Sequence, residues 1–567
     1  MNHNTQLQHL RLAPFHLDDA DVQWVANKLT SLTLDQKLRQ LFNVALHGES
    51  ETDVARIAAM QVGGVTRFVG DDLERAWRVA DQLIRAAQSC SGIPPLLSGD
   101  IEGGTIAIPF ATRLPNQLGL AAMNNPTLAK AAVEVLAAEA KAIGYNWTFT
   151  PVADINAKHR SAIVATRSYG SDLATIEANA RVNIAAFQAA GIAATAKHWP
   201  GEGFDERDQH LVTTINPLPM DEWRASFGKL YSSMMDAGVL SIMSAHIALP
   251  SYAQSHGAQG LEQCRPACVS HLLTTKLLRE ELGFNGLIVS DATGMAGLTS
   301  WSDRRTLAPE LINAGCDVIL FPQDFETDLA ELHLALADGR LSMARVDEAL
   351  SRVLGLKAKL GLAHASSDSL LPPLEVARSV IRSPKHLEVA AACAKASVTL
   401  VKDVQHLLPL NSQKHKRIVV VTDPERSGFA FQKPLPIHLV KWLNEAGFEC
   451  RAFDINQPPS PTDTDLVLYL LAQESVLLQS NIFLDWKRLQ PSVRGAMARF
   501  WHQIPSALIS FGHPYYLFDA PRMPCVINAY TAIEPVQRAV LDCLLGREAF
   551  LGESPVDAAC GLPDAMY

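Results

Sequence analysis

The sequence predicts an α/β protein: a (β/α)8 TIM-type barrel followed by a doubly wound α/β sandwich domain. Three observations carry this expectation. Eight short apolar runs recur at intervals long enough to hold a helix between each pair. Five of those runs end in polar, chemically capable residues. After Leu362 the pattern breaks into a Ser- and Pro-containing stretch, and a second set of apolar runs follows. Repeated strand–helix alternation favours a closed parallel barrel, whose loops at the C-terminal strand ends converge on one site.

The eight runs are "LFNVAL" (41–46), "GVTRFVG" (64–70), "PPLLSGD" (94–100), "WTFTPVAD" (147–154), "IAATAKH" (192–198), "VLSIMSAH" (239–246), "GLIVSD" (286–291) and "DVILFP" (317–322). Ala- and Leu-rich stretches such as "NPTLAKAAVEVLAAEAKAIG" supply the helices between them. "RLSMARVDEALSRVLGLKAKLGL" closes the barrel, with Ser342 as its cap. The expected division is residues 1–362 for the barrel, 363–373 ("AHASSDSLLPP") for the linker and 374–567 for the sandwich. Within the sandwich, "RIVVVTD", "DLVLYLLA", "SALISFGHP" and "PCVINAY" read as strands. No Gly-x-Gly-x-x-Gly turn or Walker loop marks a nucleotide site.

Composition narrows the function classes. Of 567 residues, 48% are hydrophobic and 19% charged, as expected of a globular protein. A formal net charge of −10 leaves no basic footprint for nucleic acid. The start, "MNHNTQLQHLRLAPFHLDD", has no signal-peptide pattern, and no apolar run approaches a membrane span. Nine scattered cysteines read as reduced core residues, so the chain is expected in the cytoplasm. Cys264 and Cys268 in "CRPAC" lack the second pair that a structural metal would need.

The polar strand ends are Asp100, Asp154, Lys197 with His198, His246 and Asp291. Each alone is readable as a helix N-cap or an incidental loop residue. Five converging on one barrel mouth point to an enzyme site instead. Two chemistries suit such a set. Glycoside hydrolysis needs two groups flanking a scissile bond. Metal-assisted hydrolysis needs several His and carboxylate ligands, for which His198, His246 and Asp291 are candidates. "ALHGES", after the first strand, lacks the His-x-His of an amidohydrolase barrel.

"KHWPGEGFDERDQH" (197–210) resembles the Lys-His-Phe-Pro-Gly-x-Gly-x4-Asp-Ser-His motif of glycoside hydrolase family 3, in its β-N-acetylglucosaminidase branch. "LSGDIEGG", "ATRSYG" and "GFNGLIVSDATGM" resemble three further motifs of that family, in the family's order. "SFGHPYYLFDAP" and "LLGREAFLGESPVD" resemble the C-terminal sandwich of two-domain members.

The resemblance implies a retaining exo-β-N-acetylglucosaminidase, without cofactor or metal, acting on small cell-wall or chitin fragments. It makes Asp291 the nucleophile, His210 the acid/base and Asp208 its carboxylate partner. Asp100, Arg167, Lys197 and His198 match residues that hold the sugar's hydroxyl groups. His246 either touches the ligand or braces the nucleophile's strand. Four positions depart from the pattern: Ile101 for Gln, Trp199 for Phe, Glu202 for His and Gln209 for Ser. None removes a catalytic group, and Glu202 is the acid to consider should His210 only bind substrate. A phosphorylase on the same scaffold is the alternative enzyme. A sugar-binding protein without catalysis would show a damaged nucleophile or dyad, and both are intact. The role of the second domain and a homodimer are left open.

Overall fold

The computed structural model describes residues 7–423, 434–475 and 477–567, so the first six residues of the polar N-terminal stretch lie outside it. Each of the eight apolar runs overlaps a strand: β1 Phe42–His47, β2 Gly64–Phe68, β3 Leu96–Gly99, β4 Trp147–Thr148, β5 Thr195–Trp199, β6 Ser241–Ser244, β7 Leu287–Ser290 and β8 Ile319–Leu320. All of their pairings are parallel, in the order β8-β1-β2-β3-β4 and β5-β6-β7. Single bridges join the two arcs: Trp147 with Ala193 and Val152 with Lys197 on one side, Val289 with Val318 on the other. The result is a closed eight-stranded barrel. Closure satisfies edge groups that an open sheet would leave unpaired, and it directs every strand's C-terminus to one mouth.

The helices follow local rules. Asn125 caps Pro126–Ala142 by accepting from the Leu128 N–H, with proline in the first turn. Ser342 caps Met343–Lys359 through the Arg345 N–H, as the sequence predicts. That last helix packs on Asp19–Ser31, and its buried face runs from Val346 to Ala358. Along the expected linker, Trp77 donates to the Pro372 carbonyl and Gln88 to that of Ala365, so the segment lies against the barrel helix Leu73–Cys90.

The second sheet has six strands: β9 Thr399–Asp403, β10 Arg417–Asp423, β11 Glu449–Ala452, β12 Leu466–Leu471, β13 Ser506–Ser510 and β14 Cys525–Asn528. Their order is β9-β14-β13-β12-β10-β11, parallel except for β9. The two strands that the sequence does not announce, β9 and β11, are the edges. Their half-exposed residues give no continuous apolar run. Helix Pro384–Ser397 contacts both the barrel helix Pro126–Ala142 and the sandwich helix Glu534–Leu544, joining the two cores. All nine cysteines are free; five are buried, while Cys90 is exposed rather than in the core. Among the described residues, no helix is long and apolar enough to cross a membrane.

Candidate active site

The barrel mouth is built on a buried ionic cluster. Glu102, two residues beyond the Asp100 strand end, accepts from Arg167 Nε and Nη2, both at 2.9 Å. Its Oε1 also lies 2.8 Å from Lys197 Nζ, which donates to Asp100 Oδ1 at 2.7 Å. Burial pushes the Glu102 carboxyl up, but the guanidinium and ammonium outweigh it and hold it at about 2. Lys197 is likewise disfavoured by burial yet kept charged by Asp100 and Glu102. Two cations are thus fixed in place by a carboxylate lying behind them. The sequence reading assigned Asp100, Arg167 and Lys197 but passed over Glu102. The signal was the second carboxylate of "DIEGG", two residues beyond Asp100 and converging with it on Lys197.

Asp154 orients His198. Its Oδ1 accepts the backbone N–H groups of His198 (3.1 Å) and Glu202 (2.9 Å), and its Oδ2 lies 2.6 Å from His198 Nδ1. Nδ1 therefore carries the proton donated to Asp154, leaving Nε2 as the ring's other edge. Glu202 is buried too. Burial and the neighbouring Asp154 carboxylate raise its carboxyl well above the usual range, favouring the protonated form. Among the described residues, one group of three could bring ligand atoms together around an ion: Asp154, His198 and Glu202. This differs from the expected His198, His246 and Asp291. The donor set fits an ion poorly, because the His198 nitrogen is already bonded to Asp154 and burial favours the protonated form of Glu202.

The loop after β5 turns sharply at Gly203, whose φ is 114°. A Cβ there would lie 1.8 Å from the Ile155 carbonyl oxygen, so only glycine fits. The loop then presents Asp208, Gln209 and His210. Asp208 Oδ1 accepts the His210 N–H at 2.8 Å and lies 2.7 Å from His210 Nδ1. The Asp208 side chain is 1% exposed and that of His210 21%, so the carboxylate is buried and the imidazole faces the mouth. Between them, Gln209 donates to Glu202 Oε2 (3.1 Å) and accepts from the His246 N–H (3.2 Å).

Asp291 follows β7, its N–H held by the Ser244 carbonyl at 2.8 Å and its Oδ1 by the Ala292 N–H at 2.7 Å. Burial raises its carboxyl, but the imidazoles of His246, His198 and His210 and the Ala292 N–H prevail and keep it below the ordinary range. It is ionised at neutral pH. The helix beyond it starts at Ala296, whose N–H bonds the His210 carbonyl at 2.9 Å, so the loop bearing Asp291 and the loop bearing His210 are tied together. His246 is fully buried. Its Nδ1 lies 3.2 Å from Cys268 Sγ and its Nε2 2.9 Å from the Ala292 carbonyl. Both ring nitrogens are engaged within the protein, one of them on the residue next to Asp291.

All eight residues singled out from the sequence come to this mouth, in the layers just described. The Glyco_hydro_3 model, the glycosyl hydrolase family 3 N-terminal domain, matches residues 33–356. The chain belongs to glycosyl hydrolase family 3. A Cellulomonas fimi relative, "Beta-N-acetylglucosaminidase/beta-glucosidase", is 36% identical over 97% of this chain and 98% of its own length. A Pseudoalteromonas piscicida relative, "Beta-hexosaminidase A", is 28% identical over 65% of this chain and 63% of its own. Among solved structures, "Beta-glucoside phosphorylase BglX" superposes with a TM-score of 0.89 and 32% identity, covering 98% of this chain and 99% of that one. By family, the protein is a glycoside hydrolase.

Proposed function

We propose that the protein removes β-linked N-acetylglucosamine from the end of small cell-wall or chitin fragments with retention of configuration. Asp291 is the nucleophile: its carboxylate oxygen attacks the anomeric carbon as the bond to the leaving oxygen breaks. His210, protonated on both ring nitrogens, gives its Nε2 proton to that oxygen. The neutral imidazole then takes a proton from the acceptor, whose oxygen displaces Asp291 and restores the β configuration. Asp208 orients the ring and stabilises its charged form, as the carboxylate does in a Ser-His-Asp triad. Asp100, Arg167, Lys197 and His198 bind the sugar hydroxyls, with Glu102 and Asp154 holding them in place. His246 takes the bracing role, because its ring is spent on Cys268 and the Ala292 carbonyl.

The observation that carries this reading is the pairing of a buried Asp208 with a partly exposed His210, tied through Ala296 to the loop of an ionised Asp291. The C. fimi relative's name supports the sugar class. A second reading, in which phosphate replaces water as acceptor, is favoured by the likeness to a β-glucoside phosphorylase along nearly the whole chain. A neutral histidine base repels phosphate less than a carboxylate base would. Incubation with p-nitrophenyl β-N-acetylglucosaminide, with and without phosphate, separates the two. Free sugar in both cases supports hydrolysis; a sugar 1-phosphate formed only with phosphate supports phosphorolysis. No phenol release from this sugar would overturn the proposal.

A further inference from the structure

The second domain reaches into the barrel mouth at Asp208. Oδ2 of Asp208, the oxygen not used by His210, accepts the backbone N–H of Leu478 at 2.9 Å. Leu478 belongs to the loop that follows β12 in the sandwich. Its φ is 63°, in the left-handed region that a branched apolar side chain rarely adopts, so its surroundings must hold it there.

Those surroundings are visible at Glu474 and Ser475 of the same loop. The buried Glu474 carboxylate accepts from barrel groups, the Thr105 N–H (3.3 Å) and Asn116 Nδ2 (3.0 Å), and from Thr531 of its own domain. A Cβ on Gly104 would sit 2.5 Å from Glu474 Oε2, which shows how closely the loop is seated. Ser475 Oγ lies 3.3 Å from the hydroxyl of Thr166, the neighbour of Arg167. The loop therefore touches three barrel loops that carry Glu102, Arg167 and Asp208.

We propose that this loop is a positioning element of the acid/base pair, with the Leu478 N–H fixing the Asp208 carboxylate that orients His210. The proposal rests on the reading of His210 and Asp208 as that pair. A buried carboxylate oxygen left without a donor is costly. With Oδ2 bonded to the backbone, Asp208 cannot rotate away from the imidazole, so Oδ1 stays in line with Nδ1. The sandwich then acts on the chemistry without contributing a side chain to it.

The test compares wild type with Asp208→Ala, Leu478→Pro, Leu478→Gly and Glu474→Ala, each checked for folding by thermal melting. Proline has no N–H and cannot adopt a positive φ, whereas glycine keeps the N–H and suits it. kcat/KM is measured for β-N-acetylglucosaminides of p-nitrophenol, phenol and methanol. Leu478→Pro is expected to lose at least about tenfold more on the methyl than on the p-nitrophenyl glycoside, within the range that general-acid loss commands. Glu474→Ala should show the same bias at smaller size and Leu478→Gly the smallest; if the proline variant fails to fold, Glu474→Ala decides. A purely structural loop would lower all three substrates alike, and that result, alongside a biased Asp208→Ala, overturns the positioning role alone. An unbiased Asp208→Ala would instead overturn the acid/base assignment.

Discussion

Gln209 donates its amide to Glu202 at 3.1 Å, joining two of the positions at which this chain departs from the family's motif. In sequence they are separate exceptions. In the fold they are partners, and the glutamine's carbonyl also receives the His246 N–H. The pair thus ties the loop bearing His210 to the ends of β5 and β6.

The upward shift of the Glu202 carboxyl sets a pH dependence. Burial raises its folded pKa above the ordinary 4.5, so the stability it contributes is complete below about 4.5 and falls as pH rises toward the folded value. Glu202→Gln is neutral throughout and keeps a carbonyl to receive Gln209. It is expected to be more stable than wild type at pH 7, with the difference vanishing near pH 4. Urea unfolding at several pH values measures this, and a constant difference would contradict it.

Glu102 has the opposite sign. Its folded pKa of about 2 lies below the ordinary 4.5, so its contribution is full above about 4.5 and is lost as pH falls toward 2. Glu102→Gln leaves Arg167 and Lys197 short of a counter-charge in a buried site. Breaking such a cluster is expected to cost on the order of 3 kcal/mol at pH 7, less in acid. Sugar affinity should fall equally for every leaving group, read as a raised KM across a substrate series.

Gly297 allows the helix that follows Asp291 to approach the loop bearing Gln209 and His210. A Cβ there would lie 2.4 Å from the Gln209 carbonyl oxygen and 3.1 Å from His246 Cβ. Gly297→Ala should therefore cost about 1–3 kcal/mol of stability and push the two loops apart. Lower turnover together with a lower melting temperature is expected; an unchanged protein would mean that the loops are slack.

A chelator should leave activity intact, since no step above uses an ion. Loss in EDTA with recovery on adding zinc would instead assign the Asp154, His198 and Glu202 trio to a metal.

Much of this was legible before the fold. Five of the eight barrel runs end in polar residues that the apolar runs make conspicuous, and Asp291, His210 and Asp208 sit in local motifs. Glu102 was not legible as a partner, because its meaning depends on Arg167, 65 residues away. His246 stayed ambiguous until Cys268 and the Ala292 carbonyl were seen on its two nitrogens. The Leu478 contact has no side-chain signature at all, since a backbone N–H looks the same at every position. Edge strands β9 and β11 escaped for lack of a continuous apolar face.

The central claim is that Asp291 forms a glycosyl bond which His210 helps to make and break. In His210→Ala, an activated p-nitrophenyl sugar needs little acid to react, but the second step lacks its base, so the intermediate should accumulate. Rapid quenching followed by mass spectrometry of the digested protein tests this directly. The account predicts a burst of phenol and one added sugar residue on the peptide containing Asp291. No burst and no adduct, or an adduct on another carboxylate such as Glu202, would contradict it.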